Sequence, residues 1–421
     1  MINKQKGTID IFGEYGKKWL HVEDVIKACF DNYNYSYIRT PIFEATELFH
    51  RGVGNTTDIV TKETYDFQDR GERLITLRPE GTAGVVRSYI ENKMYGDAIQ
   101  PTKLYYLGTM YRYERPQSGR LREFSQYGCE VFGTNDPAID AEVIALSVTI
   151  LKVLGLKGVK VRLNSLGDDE SRDNYRKALK DYLKPHLDEL CEDCRERFDK
   201  NPLRIVDCKV DADKDILKNV PKTIDYLNEE SKKRFDEVVK YLDLMEIDYE
   251  IDPKVVRGLD YYNHTVFELV ADIDGVDKNF ALGGGGRYNK MVKELDGPDT
   301  SAIGFAGGMD RLMMALDIAD IKVEYRDKID TYIMYVNDEE KEYAISLNQA
   351  LRVNGFVSDM EYNGRNLKGQ FKQADRLQAK YLLILNSEDI KNGEINIKDN
   401  TTKEEKKIKE SELIDYLDMN I

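Results

Sequence analysis

The sequence predicts an α+β protein of several domains, and three observations carry that reading. Within residues 104–132, two aromatic-rich stretches, LYYLGTMYRY and REFSQYGCEVF, flank a Pro/Gly-containing loop, the pattern of an antiparallel hairpin. Residues 171–249 are dominated by charge at helical spacing with little strand signal. From residue 331 strands and helices alternate through about a hundred residues, a normal size for a separate α/β domain. At 421 residues the chain has room for two to four such units.

The hairpin is the most informative stretch. Its loop, ERPQSGRLR, and the residues beside it carry Arg112, Arg115, Arg120 and Arg122. Strand side chains alternate faces, so Gln126, Gly128 and Glu130 share one face, as do Arg112 and Glu114. Charge beside a residue with no side chain is a poor core, so a polar ligand is expected there. An exposed hairpin with salt bridges is the competing reading.

Taken in order, 17–34 has a helical repeat (Trp19, Leu20, Val22, Val25, Ile26, Cys29, Phe30), followed by a strand at 35–38 that Pro41 ends. Residues 74–77 read as a strand, RPEGT as a turn, and 83–90 as a helix. That turn presents Glu80 and Thr82 at a strand end, a frequent place for polar ligands. The alternative is that Thr82 caps the helix while Glu80 is solvated. A helix follows over 136–154, stopped by Gly155, and then a strand over 158–166. The helical segment 171–249 holds Cys191-x2-Cys194, Cys208 and His186. These could supply four metal ligands, but the pairing is lopsided, so packed or free thiols are expected and no structural metal. Strand signal returns at Ile251, and VVRGLDYYNHTVFELV carries Arg257, Asp260, Tyr261, Tyr262 and His264. Gly283 to Gly286 let backbone approach a ligand closely or bend sharply, and no Lys-Ser/Thr follows to make a Walker loop. A small-residue strand from 301 gives way to a helix at about Met309, with Arg311 in its first turn. After a charged linker at 323–330, Arg365, Lys368, Lys372 and Arg376 recur at helical spacing, either a phosphate-facing stripe or a solvated face.

Composition sets limits. No apolar run is long enough to span a bilayer, and MINKQKGTID lacks an apolar signal core. Five Cys fit a reducing cytosol rather than a disulfide scaffold. The net charge of -15 argues against bulk attraction to nucleic acid, so any RNA binding must use local basic patches.

Together these pieces resemble class II aminoacyl-tRNA synthetases, and within them the histidyl-tRNA synthetases, over nearly the whole chain. The unit ending at Pro41 is similar to motif 1, YRYERPQSGRLREFSQYGCEVFG to motif 2, and GFAGGMDRL to motif 3. TLRPEGTAG, VRGLDYYNHTVFE and LGGGGRYN resemble stretches particular to the histidine family. The resemblance implies a catalytic core of antiparallel sheet and flanking helices in two parts, 1–170 and 250–322. A helical insertion over 171–249 interrupts it, and an anticodon-binding domain over 331–421 follows. It implies ATP-dependent joining of L-histidine to tRNA(His) through a histidyl-adenylate, with ATP and Mg²⁺, in a cytoplasmic homodimer. By resemblance, Arg112 serves the α-phosphate, Arg311 the γ-phosphate, and Arg257 the reacting carboxylate. Glu80, Gly81, Thr82 and Gln126 hold the amino-acid ends of histidine, while Glu130, Tyr261 and Tyr262 surround its ring. Gly283 and Gly284 line the nucleotide, and Arg115, Gln117 and Arg120 approach the acceptor end. Two rivals stay open: a non-catalytic regulatory paralogue, and a nucleotide-binding enzyme without an RNA role.

Overall fold

In the computed structural model, residues 1–54, 57, 59–117, 119–208, 210–256, 259, 261–273, 280–323, 325 and 328–421 are described. Arg257 and Asp260 lie outside the described residues. The chain divides into two compact units, Met1–Val323 and Glu324–Ile421.

The first unit is organised on an eight-stranded sheet. Its strands are β1 (Ser36–Tyr37), β2 (Thr102–Tyr111), β3 (Glu123–Phe132), β4 (Val159–Ser165), β5 (Tyr249–Ile251), β6 (Asn263–Ala271), β7 (Ala281–Arg287) and β8 (Ala302–Gly308). They lie in the order β1-β2-β3-β8-β7-β6-β4-β5. The six inner strands are antiparallel throughout, and the short edges β1 and β5 pair parallel to their neighbours. The edge strand β5, YEI, is three residues long, too short to announce itself by alternation.

One face of this sheet is packed by helices. Tyr127, Cys129, Val131, Ile303, Phe305, Phe267 and Leu269 meet α1 (Gly13–Asn32), α3 (Pro137–Val153) and α4 (Met309–Ile318) in one core. The helical repeat read over 17–34 supplies Trp19, Val22, Ile26 and Phe30, and Phe30 stacks on Tyr105 with ring centroids 4.7 Å apart. Pro at the first turn and Asp136, whose carboxylate accepts from the Ala138 N–H, start α3. Over 171–244 the described residues are largely helical, and the chain re-enters the sheet at Tyr249. The last helix of that segment, Glu229–Leu244, also joins this core through Phe235, Val238 and Leu242. On the other face lies α2 (Thr82–Glu91), reached from the strand Leu74–Leu77.

The second unit is a five-stranded sheet of β9 (Thr331–Met334), β10 (Ser358–Met360), β11 (Tyr381–Ile384), β12 (Glu394–Asp399) and β13 (Glu405–Lys409), in the order β10-β9-β11-β12-β13. The first three are parallel and the last two antiparallel. Helices Asp338–Val353 and Leu413–Asn420 cover one face and Leu367–Arg376 the other. The sequence reading missed β13, EKKIK, because a lysine-rich edge strand has no apolar alternation to read. Lys368, Lys372 and Arg376 are exposed on their helix. Arg365 precedes it and pairs instead with the buried Glu361 at 3.1 Å.

Inside the first unit, Asp140 ties α3 to the sheet. Its carboxylate accepts from the fully buried Arg287 at 2.6 Å, from the Thr265 hydroxyl at 2.7 Å and from Arg234 at 3.2 Å. Asp140→Ala leaves the Arg287 guanidinium buried and unpaired, so we expect a loss of about 3–5 kcal/mol in denaturant unfolding. A loss below about 1 kcal/mol, the scale of an ordinary point mutation, would refute that role.

Candidate active site

The second face of the large sheet is stripped of bulk. Cross-strand register places Tyr106, Gly128, Ala306, Gly284 and Glu268 in one row, and Leu104, Glu130, Gly304 and Gly286 in the next. Gln126 lies opposite Gly308 on the same face. The packing shows why glycine is needed. A Cβ at Gly304 would fall 1.8 Å from Glu130 Oε2, and one at Gly128 would fall 2.7 Å from the Tyr106 hydroxyl. Gly304 is thus the space in which the Glu130 carboxyl is housed. Gly284 belongs to this face. Gly283 pairs with Gly307, which opposes Tyr127 on the helix-packed side. Consecutive strand residues point to opposite faces, so the glycine run cannot line one ligand with all of its members.

Glu80 and Glu130 are both buried here. Glu80 accepts the backbone N–H groups of Thr82 and Ala83, each at 2.8 Å, and so caps α2. This reverses the alternative weighed from sequence: the carboxylate caps, and Thr82 is free to donate its hydroxyl to Glu130 Oε1 at 2.7 Å. Tyr288 donates to the other oxygen, Glu130 Oε2. Burial pushes the Glu130 carboxyl up to about 8, with Glu80 adding to the rise and the Tyr288 and Thr82 hydroxyls opposing it. Burial also raises Glu80, which the Ala83 and Thr82 N–H groups and then Arg112 partly offset. Tyr261 and Tyr262 stand together with centroids 4.5 Å apart, and Tyr261 meets Tyr288 edge-on at 5.6 Å. Among the described residues, Gln126 Oε1 is a buried acceptor with no hydrogen-bond partner, which marks a place for a polar ligand. Gly81 lies against the Tyr106 ring, where a Cβ would come within 2.4 Å.

Beside this pocket the arginines gather. Arg112 lies over Phe124 at 5.2 Å and donates from Nε to the Pro79 carbonyl at 2.8 Å, which ties the hairpin to the RPEGT turn. Glu114 is 3.8 Å from Arg112 and 3.5 Å from Arg120. Arg311 donates from Nε to the Gly119 carbonyl at 3.0 Å and from Nη1 to the Ala281 carbonyl at 2.8 Å, with its guanidinium over Phe280. Burial lowers the Arg311 pKa first, and the nearby charges of Arg120 and Arg112 lower it further. Arg112, Arg120 and Arg311 therefore share one site although the sequence scatters them. Arg115 and Gln117 stand exposed on the loop.

Sequence reasoning missed Tyr106, Tyr288, Glu268 and Gly304. Tyr288 and Gly304 lay within stretches already singled out, LGGGGRYN and GFAGGMDRL, but only the register says which of their residues face the ligand side.

The raised Glu130 gives a pH signature. Its folded value of about 8 is above its ordinary 4.5, so between these the folded state holds a proton that the unfolded chain lacks. That contribution is present at low pH and is lost as pH rises toward about 8. Glu130→Gln does not titrate. Its unfolding free energy relative to the parent chain should therefore improve between about pH 5 and about pH 8, measured by urea denaturation at both. A constant difference would refute the raised value.

A model of the family described as histidyl-tRNA synthetase matches residues 14–312, and one described as an anticodon binding domain matches residues 330–420. The chain is 49% identical over 412 residues to a histidine–tRNA ligase of Oceanobacillus iheyensis, covering 98% of this chain and 96% of that one. It is 51% identical to the corresponding ligase of Anoxybacillus flavithermus, over 96% and 95% of the two chains. The crystal structure of apo S. aureus histidyl-tRNA synthetase superimposes with a TM-score of 0.85 at 42% identity, covering 99% of this chain and all of that one. With a site built from paired buried carboxyls and convergent arginines, and matches that run nearly end to end, the chain belongs to the histidyl-tRNA synthetase family.

Proposed function

We propose that the chain joins L-histidine to tRNA(His) at the expense of ATP, releasing AMP and diphosphate. The observation that carries this is the meeting, on one glycine-cleared sheet face, of a pocket of buried carboxyls and tyrosines with a cluster of guanidinium groups. The first suits an amino acid bearing an ammonium and an imidazole, and the second suits a triphosphate.

In the first step the histidine carboxylate attacks the α-phosphorus of ATP in line and diphosphate leaves. In the second the 3′-hydroxyl of the terminal ribose attacks the acyl carbonyl and AMP leaves. Such chemistry needs positioning and charge neutralisation more than a side-chain base. Arg112 takes the α-phosphate and Arg311 the γ-phosphate of ATP, which enters as its magnesium complex. Arg257, by family resemblance, takes the reacting carboxylate and α-phosphate. Glu80, Gly81, Thr82 and Gln126 hold the ammonium and carboxylate of histidine, and the unsatisfied Gln126 oxygen supports this. Glu130, Tyr261 and Tyr262 read the imidazole. A buried site that hydrogen-bonds a ring rejects an isostere lacking those groups by about 10⁴ or more. Gly284, on the ligand face, gives the nucleotide room, whereas Gly283 points to the helix-packed side and has no part in it. Arg115, Gln117 and Arg120 meet the acceptor end, and residues 331–421 take the anticodon.

The working form is a cytoplasmic homodimer on this reading. The small sheet of Phe43–Ala45, Tyr65–Gln68 and Leu74–Leu77 carries Phe43 and Phe67 on one face, both well exposed, which suits a covering second copy. No helix of the described residues is long and apolar enough to cross a membrane.

Histidine-dependent ATP–diphosphate exchange followed by tRNA charging tests the whole. Absence of exchange would indicate a regulatory paralogue, and exchange without charging an enzyme with no RNA role. Arg311→Ala should slow exchange by about a hundredfold or more, the scale of removing one preorganised charge donor. Arg257→Ala should lower the adenylation rate far more than histidine affinity, and equal losses would overturn its role.

A further inference from the structure

A second cluster lies in the helical segment, on residues with no part in the reaction above. Cys191 stands at the start of the helix Glu192–Lys200, and Cys194 lies in its first turn. Cys208 follows the short helix Leu203–Val206, and Asp211 follows Cys208 by three residues. Three of the four, Cys194, Cys208 and Asp211, are buried and Cys191 is half-buried. One donor atom from each lies within 4.8 Å of all the others. His186, the fourth ligand considered from sequence, is not among them, since its Nδ1 lies 2.6 Å from Glu189. The fourth group is a carboxylate, which spacing rules for Cys and His do not look for.

We propose that Cys191, Cys194, Cys208 and Asp211 form a structural zinc site. The Cys191 and Cys208 sulfurs are 3.7 Å apart. A tetrahedron with Zn–S bonds of about 2.3 Å has an edge of about 3.8 Å, whereas a disulfide requires about 2.05 Å. All five cysteines of the chain are free. Thiolates with one carboxylate in a closed four-donor set select zinc over the harder magnesium or calcium. The surrounding contacts already orient the set. Asp211 Oδ2 accepts the Cys191 N–H at 2.9 Å, and Lys214 is 2.8 Å from Asp211 Oδ1. Three thiolates and a carboxylate around a divalent ion leave two excess negative charges, and Lys214 offsets one of them.

The local fold has reason to need such a staple. Leu203–Val206 and Asp215–Lys218 are single four-residue turns, too short to persist alone. The metal would join the start of one helix to the loop that follows the next, within the buried cluster to which Leu190, Cys194, Leu203, Ile205 and Leu217 belong.

The test uses the full chain purified without chelator. Elemental analysis should find one zinc per chain. Replacement with Co²⁺ should give a thiolate-to-cobalt charge-transfer band and the visible absorption of a tetrahedral site. Cys194→Ser should weaken the band, since two of the three thiolates remain, and Asp211→Asn, which keeps the side-chain shape, should shift it. A chain with native circular dichroism that holds no zinc and shows no cobalt–thiolate band overturns the proposal, as does a Cys191–Cys208 disulfide in the freshly purified protein. An unshifted band in Asp211→Asn overturns the four-ligand set.

Discussion

The candidate site depends on one constraint: a pleated strand must place successive side chains on opposite faces. Along β3 this sends Tyr127, Cys129 and Val131 into the helix-packed core and Gln126, Gly128 and Glu130 to the opposite face. Along β8 it sends Ile303 and Phe305 one way and Gly304, Ala306 and Gly308 the other. The same strands therefore supply a large apolar core and a face where glycines and Ala306 leave room beside Tyr106, Glu130 and Glu268. Neither purpose compromises the other, because the two sets of residues never compete for one side.

The emptied face lets a carboxyl be buried where a core would exclude it. Glu130 occupies the volume that any side chain at Gly304 would take, and two hydroxyls satisfy its oxygens. Glu80 is held nearby by two backbone N–H groups at the start of α2, so its orientation is set by the helix end. Both acids are raised by burial. A ligand bearing positive charge would relieve that cost.

Much of this was legible in the sequence, and the rest was not for definite reasons. The hairpin, α1, α3, α4 and the alternating second unit follow from periodicity and from Gly, Pro and Asp at their ends. The shared face of Gln126, Gly128 and Glu130 follows from counting by two. What spacing cannot provide is partnership across the chain. Arg311 is drawn to the hairpin loop by the Gly119 carbonyl, while Arg112 is held by the Pro79 carbonyl. Asp140 finds Arg287 only through the sheet. Asp211 gave no signal because a lone carboxylate near three cysteines is common in a chain with 77 acidic residues.

That acidic excess bears on how a polyanion could be received at all. At physiological salt, exposed charges act over about 8 Å, so the net charge of -15 is felt mostly as local patches. Within the site the local sign is opposite. Arg112, Arg120 and Arg311 crowd one another, and their mutual repulsion, added to burial, already depresses the Arg311 pKa. Glu114 answers Arg112 and Arg120 only at 3.8 and 3.5 Å. Folding thus holds like charges close together, with Arg112 and Arg311 anchored by carbonyls and aromatic faces and Arg120 facing Glu114 at 3.5 Å. A triphosphate entering the cluster relieves that repulsion without first breaking a strong ion pair.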